Sequence, residues 1–427
     1  MYYFQIYLIV SVFILSLETE ENYIDGKIYI NNKSYINNIY PHIKVSIGKK
    51  ANERLLISLF SPIIISFSNN EKEQINETEI IDNKYKIWNP LNYLNDEFLE
   101  FNISKDNFKL NGKNEINLDY GVMNFSTDIN EEVDGLCGLL PWSKGFENFN
   151  EKNIFLNQLY AQKVISKKII YISPYYKDEK LLNEAQLMIG KIPDEFEKKK
   201  NKMPNCSIVN LNELGYFDCN ISGIIFEDKE KTKKENKYML NDTERTIGIF
   251  IESSIQPISL PNTIFHYFEE YFITNKQCHL INNKINCNNK PDVINNTNIS
   301  FILNDYKFTL NSKAFWNNNG ELNIEFQRND NFGILTSLFT INYHRIYDFE
   351  EKKIFFEIDN KKDEEKSDTT IWIVIVIILF MLLFISIFLV ILLSRTKDKK
   401  DLDEKIRNIS FTDEIRESKN SDSSWQK

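Results

Sequence analysis

Ile47-Gly48, followed by Leu55-Leu56-Ile57-Ser58-Leu59-Phe60-Ser61-Pro62-Ile63-Ile64-Ile65, is the stretch that decides how this chain folds. One apolar run enters it, a Ser-Pro step interrupts, and a second apolar run leaves. Short runs rich in β-branched residues and bounded by turn residues predict strands. The same shape returns later as Ile249-Phe250-Ile251-Glu252-Ser253-Ser254-Ile255-Gln256-Pro257-Ile258-Ser259-Leu260-Pro261. The two copies differ in charge. No acidic residue lies between Arg54 and Asn70, whereas the second copy carries Glu252 at its turn.

The surrounding sequence has the same texture. From Tyr40 onward, runs of Ile, Phe, Tyr and Val alternate with Asn, Asp, Gly and Lys clusters. Strands are predicted at 43–47, 55–59, 108–110, 168–172, 187–189, 224–226, 247–251, 299–303 and 353–358. Helices are predicted only at 153–162, 261–273 and 335–343. A body of about 320 residues exceeds one small barrel, so an all-β, bilobal architecture follows, with lobes at 24–200 and 205–360. The charged stretch 195–205, with Lys198, Lys199 and Lys200, is the expected linker. Leu136-Cys137-Gly138 in the first lobe and Ile334-Leu335-Thr336 in the second form a further internal correspondence.

The ends of the chain set its expected placement. Tyr2 to Leu17 is apolar and is followed by Glu18-Thr19-Glu20-Glu21-Asn22. It is short for a span and lacks a basic start, and residues 1–19 are expected to be a signal peptide. Residues 371–393 carry no charge and are long enough to cross a hydrocarbon core of about 30 Å as one helix. Arg395, Lys397, Lys399 and Lys400 follow it, which puts that side in the cytoplasm. The expected arrangement is a single-pass type I membrane protein, at the cell surface or in an endomembrane, with its ectodomain lumenal or extracellular. The tail 394–427 holds too few apolar residues to build a core and is expected to be disordered. Ser410 and Ser423 are possible phosphorylation or sorting positions there, set against a plain solvated tail.

Lys and Arg total 51 against 61 Asp and Glu, a net charge of −10, which disfavours nucleic acid as a partner. Asn, Ile and Lys are over-used along the whole chain, a bias of composition that no single segment carries. It also multiplies chance Asn-x-Ser/Thr matches. Those at Asn32, Asn76, Asn102, Asn124, Asn205, Asn220, Asn241, Asn295 and Asn298 are expected glycosylation acceptors if the chain is secreted. Five cysteines in an oxidising compartment predict two disulfides and one thiol. Short polar loops favour Cys206–Cys219 and Cys278–Cys287, leaving Cys137 buried in Gly135-Leu136-Cys137-Gly138-Leu139-Leu140. Cys278, His279 and Cys287 make an incomplete metal set, and neither metal nor cofactor is expected.

Several motifs, in one order, resemble the pepsin-like aspartic proteases over about residues 40–358. Tyr40-Pro41-His42-Ile43-Lys44-Val45-Ser46-Ile47-Gly48 resembles that family's opening strand. Asp134-Gly135-Leu136-Cys137-Gly138-Leu139 resembles its Asp-Gly-Ile-Leu-Gly-Leu, and Phe155-Leu156-Asn157-Gln158-Leu159 the helix after it. Leu187-Met188-Ile189-Gly190-Lys191-Ile192 resembles the next strand. Gly333-Ile334-Leu335-Thr336-Ser337-Leu338-Phe339 and Tyr343-His344-Arg345-Ile346-Tyr347-Asp348 resemble the closing motifs. The resemblance implies a two-lobed β fold with a cleft shaped for an extended peptide.

It also implies two Asp-Thr-Gly turns whose carboxyls share one proton, because like charges so close cannot both ionise. Here the departures fall on that chemistry. An ungapped match from Gly48 puts Leu59 at the first catalytic position, and counting back from Pro261 puts Glu252 at the second. Ser254 stands where the family has glycine, and Ser61, Ser253 and Ser254 are read as turn residues filling hydrogen bonds that the family's threonines supply. No tyrosine-glycine flap hairpin is evident between Ile65 and Asp134; Tyr85, Tyr93 and Tyr120 lie in polar surroundings. The expected function is a catalytically inactive, membrane-anchored protein that binds an extended peptide or protein ligand in its cleft. A divergent aspartic endopeptidase, with Glu252 paired to Asp82, Asp96 or Asp119, is the enzymatic alternative. A structural surface glycoprotein is the third. Four histidines outside any nucleophile motif, and no glycine-rich phosphate loop, leave other chemistries without support.

Overall fold

The computed structural model describes residues 22–30, 41–59, 61–68, 81–88, 98–110, 115–124, 133–140, 149–177, 180–207, 219, 221–228, 235–240, 248–251, 258–281, 284–303, 306–310, 315–317, 319–327, 332–336, 339, 341–358, 376–391, 395, 399–400 and 402–407. It divides into one unit at 1–358 and a second at 359–427.

Residues from both ends of the first unit meet in a thirteen-stranded sheet. From one edge its strands are Asn205–Ser207, Lys353–Glu357, His344–Asp348, Ile169–Ile172, Glu184–Ile189, Ile24–Ile30, Pro41–Ile47 and Lys50–Ser58. Gly135–Gly138, Ile64–Ser68, Ile116–Asn124, Phe98–Leu110 and Ile81–Trp88 complete it. Burial alternates along Ile24–Ile30, with Ile28 fully buried and Lys27 exposed, as expected for a strand with one face on a core. The later half of the unit adds two four-stranded sheets. One is Glu235–Met239, Ile221–Asp228, Thr297–Leu303 and Tyr306–Thr309; the other is Gly248–Ile251, Phe332–Leu335, Ile258–Pro261 and Ile324–Gln327. Each predicted strand region falls on one of these elements.

Helix 153–162 appears as a 3₁₀ turn Glu151–Asn153 and an α-helix Phe155–Ala161. The stretch 261–273 is helical from Asn262 to Asn275, its last part as a π-helix, Glu269–Asn275. The helix expected at 335–343 does not form as one piece. Leu335 ends a strand, where parallel pairing with Ile251 outweighs local propensity.

The predicted linker 195–205 is built into the fold. It forms a helical turn, Asp194–Glu197, and a 3₁₀ turn, Lys200–Lys202. Phe196 and Met203 enter a separate core cluster with Tyr171, Ile346 and Phe355. Lys200 Nζ donates to Asp348, and to Glu351 Oε1 at 2.8 Å. Its charged residues thus flank two buried apolar anchors, a pattern that the run of lysines hides.

Both disulfides form as predicted, with Cα separations of 5.1 Å for Cys206–Cys219 and 4.8 Å for Cys278–Cys287. The thiolates that a metal at Cys278 and Cys287 needs are therefore consumed. In the second unit, residues 376–391 are helical and their large apolar side chains are exposed. No helix of the described residues is long and apolar enough to cross a membrane. Residues 402–407, within the tail expected to be disordered, are helical and exposed.

Candidate functional site

Around the first turn, three strands build an interlocked ladder. Lys50–Ser58 runs parallel to Gly135–Gly138, pairing Leu56 with Leu136 and Ser58 with Gly138. Gly135–Gly138 in turn lies antiparallel to Ile64–Ser68, pairing Leu136 with Ile65. Ile64–Ser68 then runs parallel to Ile116–Asn124. The second turn repeats the arrangement strand for strand. Gly248–Ile251 is parallel to Phe332–Leu335, Ser259 pairs antiparallel with Ile334, and Ile258–Pro261 is parallel to Ile324–Gln327.

The repeat has a definite register. Leu136 joins Leu56 to Ile65, and Ile334 joins Phe250 to Ser259, so both connections have equal length. This matches Leu136-Cys137-Gly138 to Ile334-Leu335-Thr336, the internal correspondence read from the sequence. Ser58 then corresponds to Glu252, the residue after Ile251, and Leu59 corresponds to Ser253. The register moves the first position one residue upstream of the ungapped match. Glu252, Ser253 and Ser254 lie outside the described residues, so the expected facing of Leu59 and Glu252 does too.

The described residues of the first turn are buried and closely held. Ser58, Ser61 and Ile63 are fully buried and Leu59 is 1% exposed, packed in the same core as Ile57, Ile64, Cys137 and Leu139. Leu139 N–H donates to the Ser58 carbonyl and Leu140 N–H to that of Ser61, each at 2.9 Å. Ser61 Oγ donates to the Ile63 carbonyl at 2.8 Å, the turn-filling role expected of it. Gly138 is required by the close crossing. A Cβ there would sit 2.3 Å from the Ile63 carbonyl oxygen and 2.5 Å from that of Ser61. At Gly121 the nearest atoms are side chain rather than backbone, the Phe101 ring at 2.6 Å and Ile65 at 3.2 Å. Gly138→Ala is expected to cost about 3 kcal/mol, and Gly121→Ala clearly less. Urea unfolding midpoints of the two variants check the order.

The described acids nearest in sequence are committed elsewhere. Asp134 accepts from the Arg54 backbone N–H at 2.8 Å and from its Nε at 3.1 Å, clamping the ladder's start. Glu53 is buried and accepts from Ser66 Oγ at 3.0 Å. Of the acids considered as partners for Glu252, Asp119 is half-buried, its backbone held by the Gln158 amide at 2.7 and 2.9 Å. Asp82 lies in strand Ile81–Trp88 and its side chain is outside the description, as is all of Asp96. No cluster of three metal-binding side chains occurs among the described residues.

The long antiparallel pair Ile81–Trp88 and Phe98–Leu110 occupies the chain position where a flap hairpin was not evident. Its tip, 89–97, lies outside the described residues and includes Tyr93. Tyr85 is not in polar surroundings: it is buried, stacked on Phe101 and edge-on to Phe149. A cross-strand aromatic partner explains its position better than its charged sequence neighbours do.

Cys137 is buried and unpaired, as expected. Burial pushes its thiol up to about 12, so the reactive thiolate is essentially absent at neutral pH. Native protein is expected to resist thiol labelling until it unfolds; mass spectrometry after a brief iodoacetamide pulse checks this. Among the glycosylation candidates, Asn295 is exposed and Asn102, Asn205 and Asn298 are partly so. Asn124 ends a strand, and Asn32, Asn76, Asn220 and Asn241 lie outside the described residues.

Residues 91–357 match the family of eukaryotic aspartyl proteases, which is more than half of the chain, and the chain belongs to that family. Its fold is similar to the crystal structure of the aspartic proteinase from Irpex lacteus, at a TM-score of 0.55 and 12% identity. That similarity covers 79% of this chain and 98% of the other and carries the pepsin-like fold alone. A comparison with curated proteins gives no match.

Proposed function

We propose that this chain is a catalytically inactive member of its family, acting as a membrane-anchored protein that binds an extended peptide or protein segment between its lobes. One observation carries the reading: the ladder position corresponding to Glu252 is Ser58, with no acid anywhere from Arg54 to Asn70. A protease of this class needs two carboxyls around one proton, and a hydroxyl at the first place cannot accept the proton from the attacking water. The nearby acids Glu53 and Asp134 are tied into the strand ladder, about five residues or roughly 17 Å along the strand from the turn. The scaffold that would receive a strand is retained while the groups that would cut it are not.

Anchoring is supported by the charge-free run 371–393, the exposed apolar helix within it, and the basic residues that follow. On this reading residues 1–19 are removed as a signal peptide, the ectodomain carries glycans at exposed sequons such as Asn295, and the tail is cytoplasmic. The two disulfides fit a secretory compartment.

The test is calorimetry of the full chain in detergent against a pool of extended octapeptides, with the peptides recovered afterwards. Binding with intact recovery is the expected result. Recovery as fragments, lost on Glu252→Gln, would establish the divergent protease instead. Absence of any binding would leave a structural surface glycoprotein.

A further inference from the structure

The large sheet opens where strand Ile24–Ile30 parts from its neighbour Pro41–Ile47. The two strands pair only from Ile28 to Ile30. From Val45 onward, Pro41–Ile47 pairs with Phe98–Leu110 instead. A groove of about 790 Å³ opens in the splay, bordered by Asp25, Lys27, Tyr29, Lys44, Ser46 and Lys109.

One wall of this groove carries unpaired main chain, and the ladder shows which groups those are. Ile30 N–H donates to the Asn183 carbonyl, toward the Glu184–Ile189 side. Backbone groups alternate sides along a strand, so Ile28 and Gly26 point the same way as Ile30. Ser173 N–H donates to the Gln186 carbonyl, so Gln186, the partner of Lys27, has its own groups turned toward strand Ile169–Ile172. The N–H and C=O groups of Asp25 and Lys27 therefore face the groove. The pairing of Ile28 with Ile43 commits the Lys27 carbonyl to the Lys44 N–H, whereas the Lys27 N–H and both Asp25 groups have no ladder partner among the described residues, because Pro41–Ile47 turns to Phe98–Leu110 from Val45 onward. These are three main-chain groups at the spacing of a strand.

The side chains divide by charge. On the Ile24–Ile30 wall, carboxylates are matched: Lys27 bonds Glu184 at 2.7 Å, and Gln186 donates to Asp25 at 3.3 Å. On the other wall stand Lys44, Ser46 and Lys109, which are donors. Lys109 is shared with Glu115 at 3.0 Å, with both groups exposed. Lys44 lies 4.2 Å above the Tyr29 ring and pairs with no carboxylate among the described residues. It stands opposite Arg54 in the ladder, whose guanidinium is already held by Asp134, so Lys44 is the wall's cation with no carboxylate of its own among the described residues.

We infer that this splay groove binds an extended acidic peptide, which adds as a strand along Asp25–Lys27 and places a carboxylate at Lys44. Strand addition uses main-chain hydrogen bonds for affinity and alternate side chains for specificity, and this groove offers both. An acidic sugar chain would meet the lysines but has no use for the backbone groups, so the strand reading is favoured.

The probe is a fluorescent octapeptide of alternating valine and glutamate, titrated by anisotropy into the full chain in detergent. Its counterparts are the same peptide N-methylated at every second amide in either phase, a valine–lysine version, and a galacturonate oligosaccharide as competitor. Lys27→Pro removes a groove-facing N–H without touching the ladder bonds, and Lys27→Ala controls for the lost ion pair. Binding is expected to weaken about tenfold for Lys27→Pro and for one phase of N-methylation, about the effect of losing one or two main-chain bonds. Lys27→Ala should change it little, Lys44→Glu should weaken it at least as much as Lys27→Pro, and the lysine peptide should not bind. Should Lys27→Pro fail to fold, the N-methylated pair still decides. Equal binding of all N-methylated forms, indifference to Lys44→Glu, full displacement by the oligosaccharide together with insensitivity to methylation, or no binding of the glutamate peptide would each overturn the inference.

Discussion

Purified protein incubated with denatured casein and with short peptide pools, from acid to neutral pH, is expected to leave every bond intact. Glu252→Asp should change nothing. In the two-carboxylate mechanism one group takes a proton from the attacking water while the other gives one to the peptide carbonyl, and the two exchange roles as the bond breaks. Loss of one positioned acid or base typically costs about 10²–10⁴-fold. Here the loss is compounded, because the water also loses one of its two holders. Shortening Glu252 by a methylene corrects the reach of the group that is present and leaves a hydroxyl, Ser58, at the corresponding position of the first ladder. The double variant Ser58→Asp/Glu252→Asp is the informative comparison, since it alone supplies two carboxyls at corresponding ladder positions. Cleavage by the unaltered protein that disappears on Glu252→Gln would sink the inactive reading. The same pools also report on binding: transition-state mimics that seat a hydroxyl between two carboxyls are expected not to bind.

How far the sequence alone reaches is clear from particular residues. The strands were legible because Ile, Val and Phe runs bounded by Asn, Lys and Gly report burial on a pleated face, and burial is local. The two short disulfide loops were legible for a similar reason, since their cysteines sit close along the chain. The exact register of the first turn was not. It depends on Leu136 meeting both Leu56 and Ile65, contacts made across long separations, and an ungapped count from Gly48 gives Leu59, one residue downstream of the Ser58 that the ladder aligns with Glu252. The burial of Tyr85 is not legible from its neighbours because its packing partners come from elsewhere in the chain, Phe101 from the paired strand and Phe149 from the irregular segment before Glu151. The segment 195–205 was misjudged because two anchors, Phe196 and Met203, outweigh the charged residues around them. In each case the missing information is a tertiary contact that composition does not carry.

The one-residue question at the first turn has a thermodynamic answer. Leu59→Asp is expected to destabilise the fold by about 4 kcal/mol at neutral pH, whereas Ser58→Asp should cost markedly less. Leu59 is 1% exposed and belongs to the apolar core with Ile57, Ile64 and Leu139, so its replacement loses buried hydrocarbon and desolvates a carboxyl without a partner. Ser58 is buried too, but it already presents a hydroxyl there, so its replacement exchanges one polar group for another and loses no buried hydrocarbon. The pH dependence separates the contributions. A carboxyl at 59 would have its folded pKa raised by desolvation, above an unfolded value of about 4. The folded state then binds more protons than the unfolded one between those two values, and stability falls as pH rises through that window. The penalty should therefore shrink in acid, approaching the loss seen for Leu59→Asn, which has no charge to bury and no such slope. Chemical denaturation of the variants at acidic and neutral pH measures both. A Leu59→Asp penalty no larger than that of Ser58→Asp, with no recovery in acid, would place residue 59 at an open site and return the first position to Leu59.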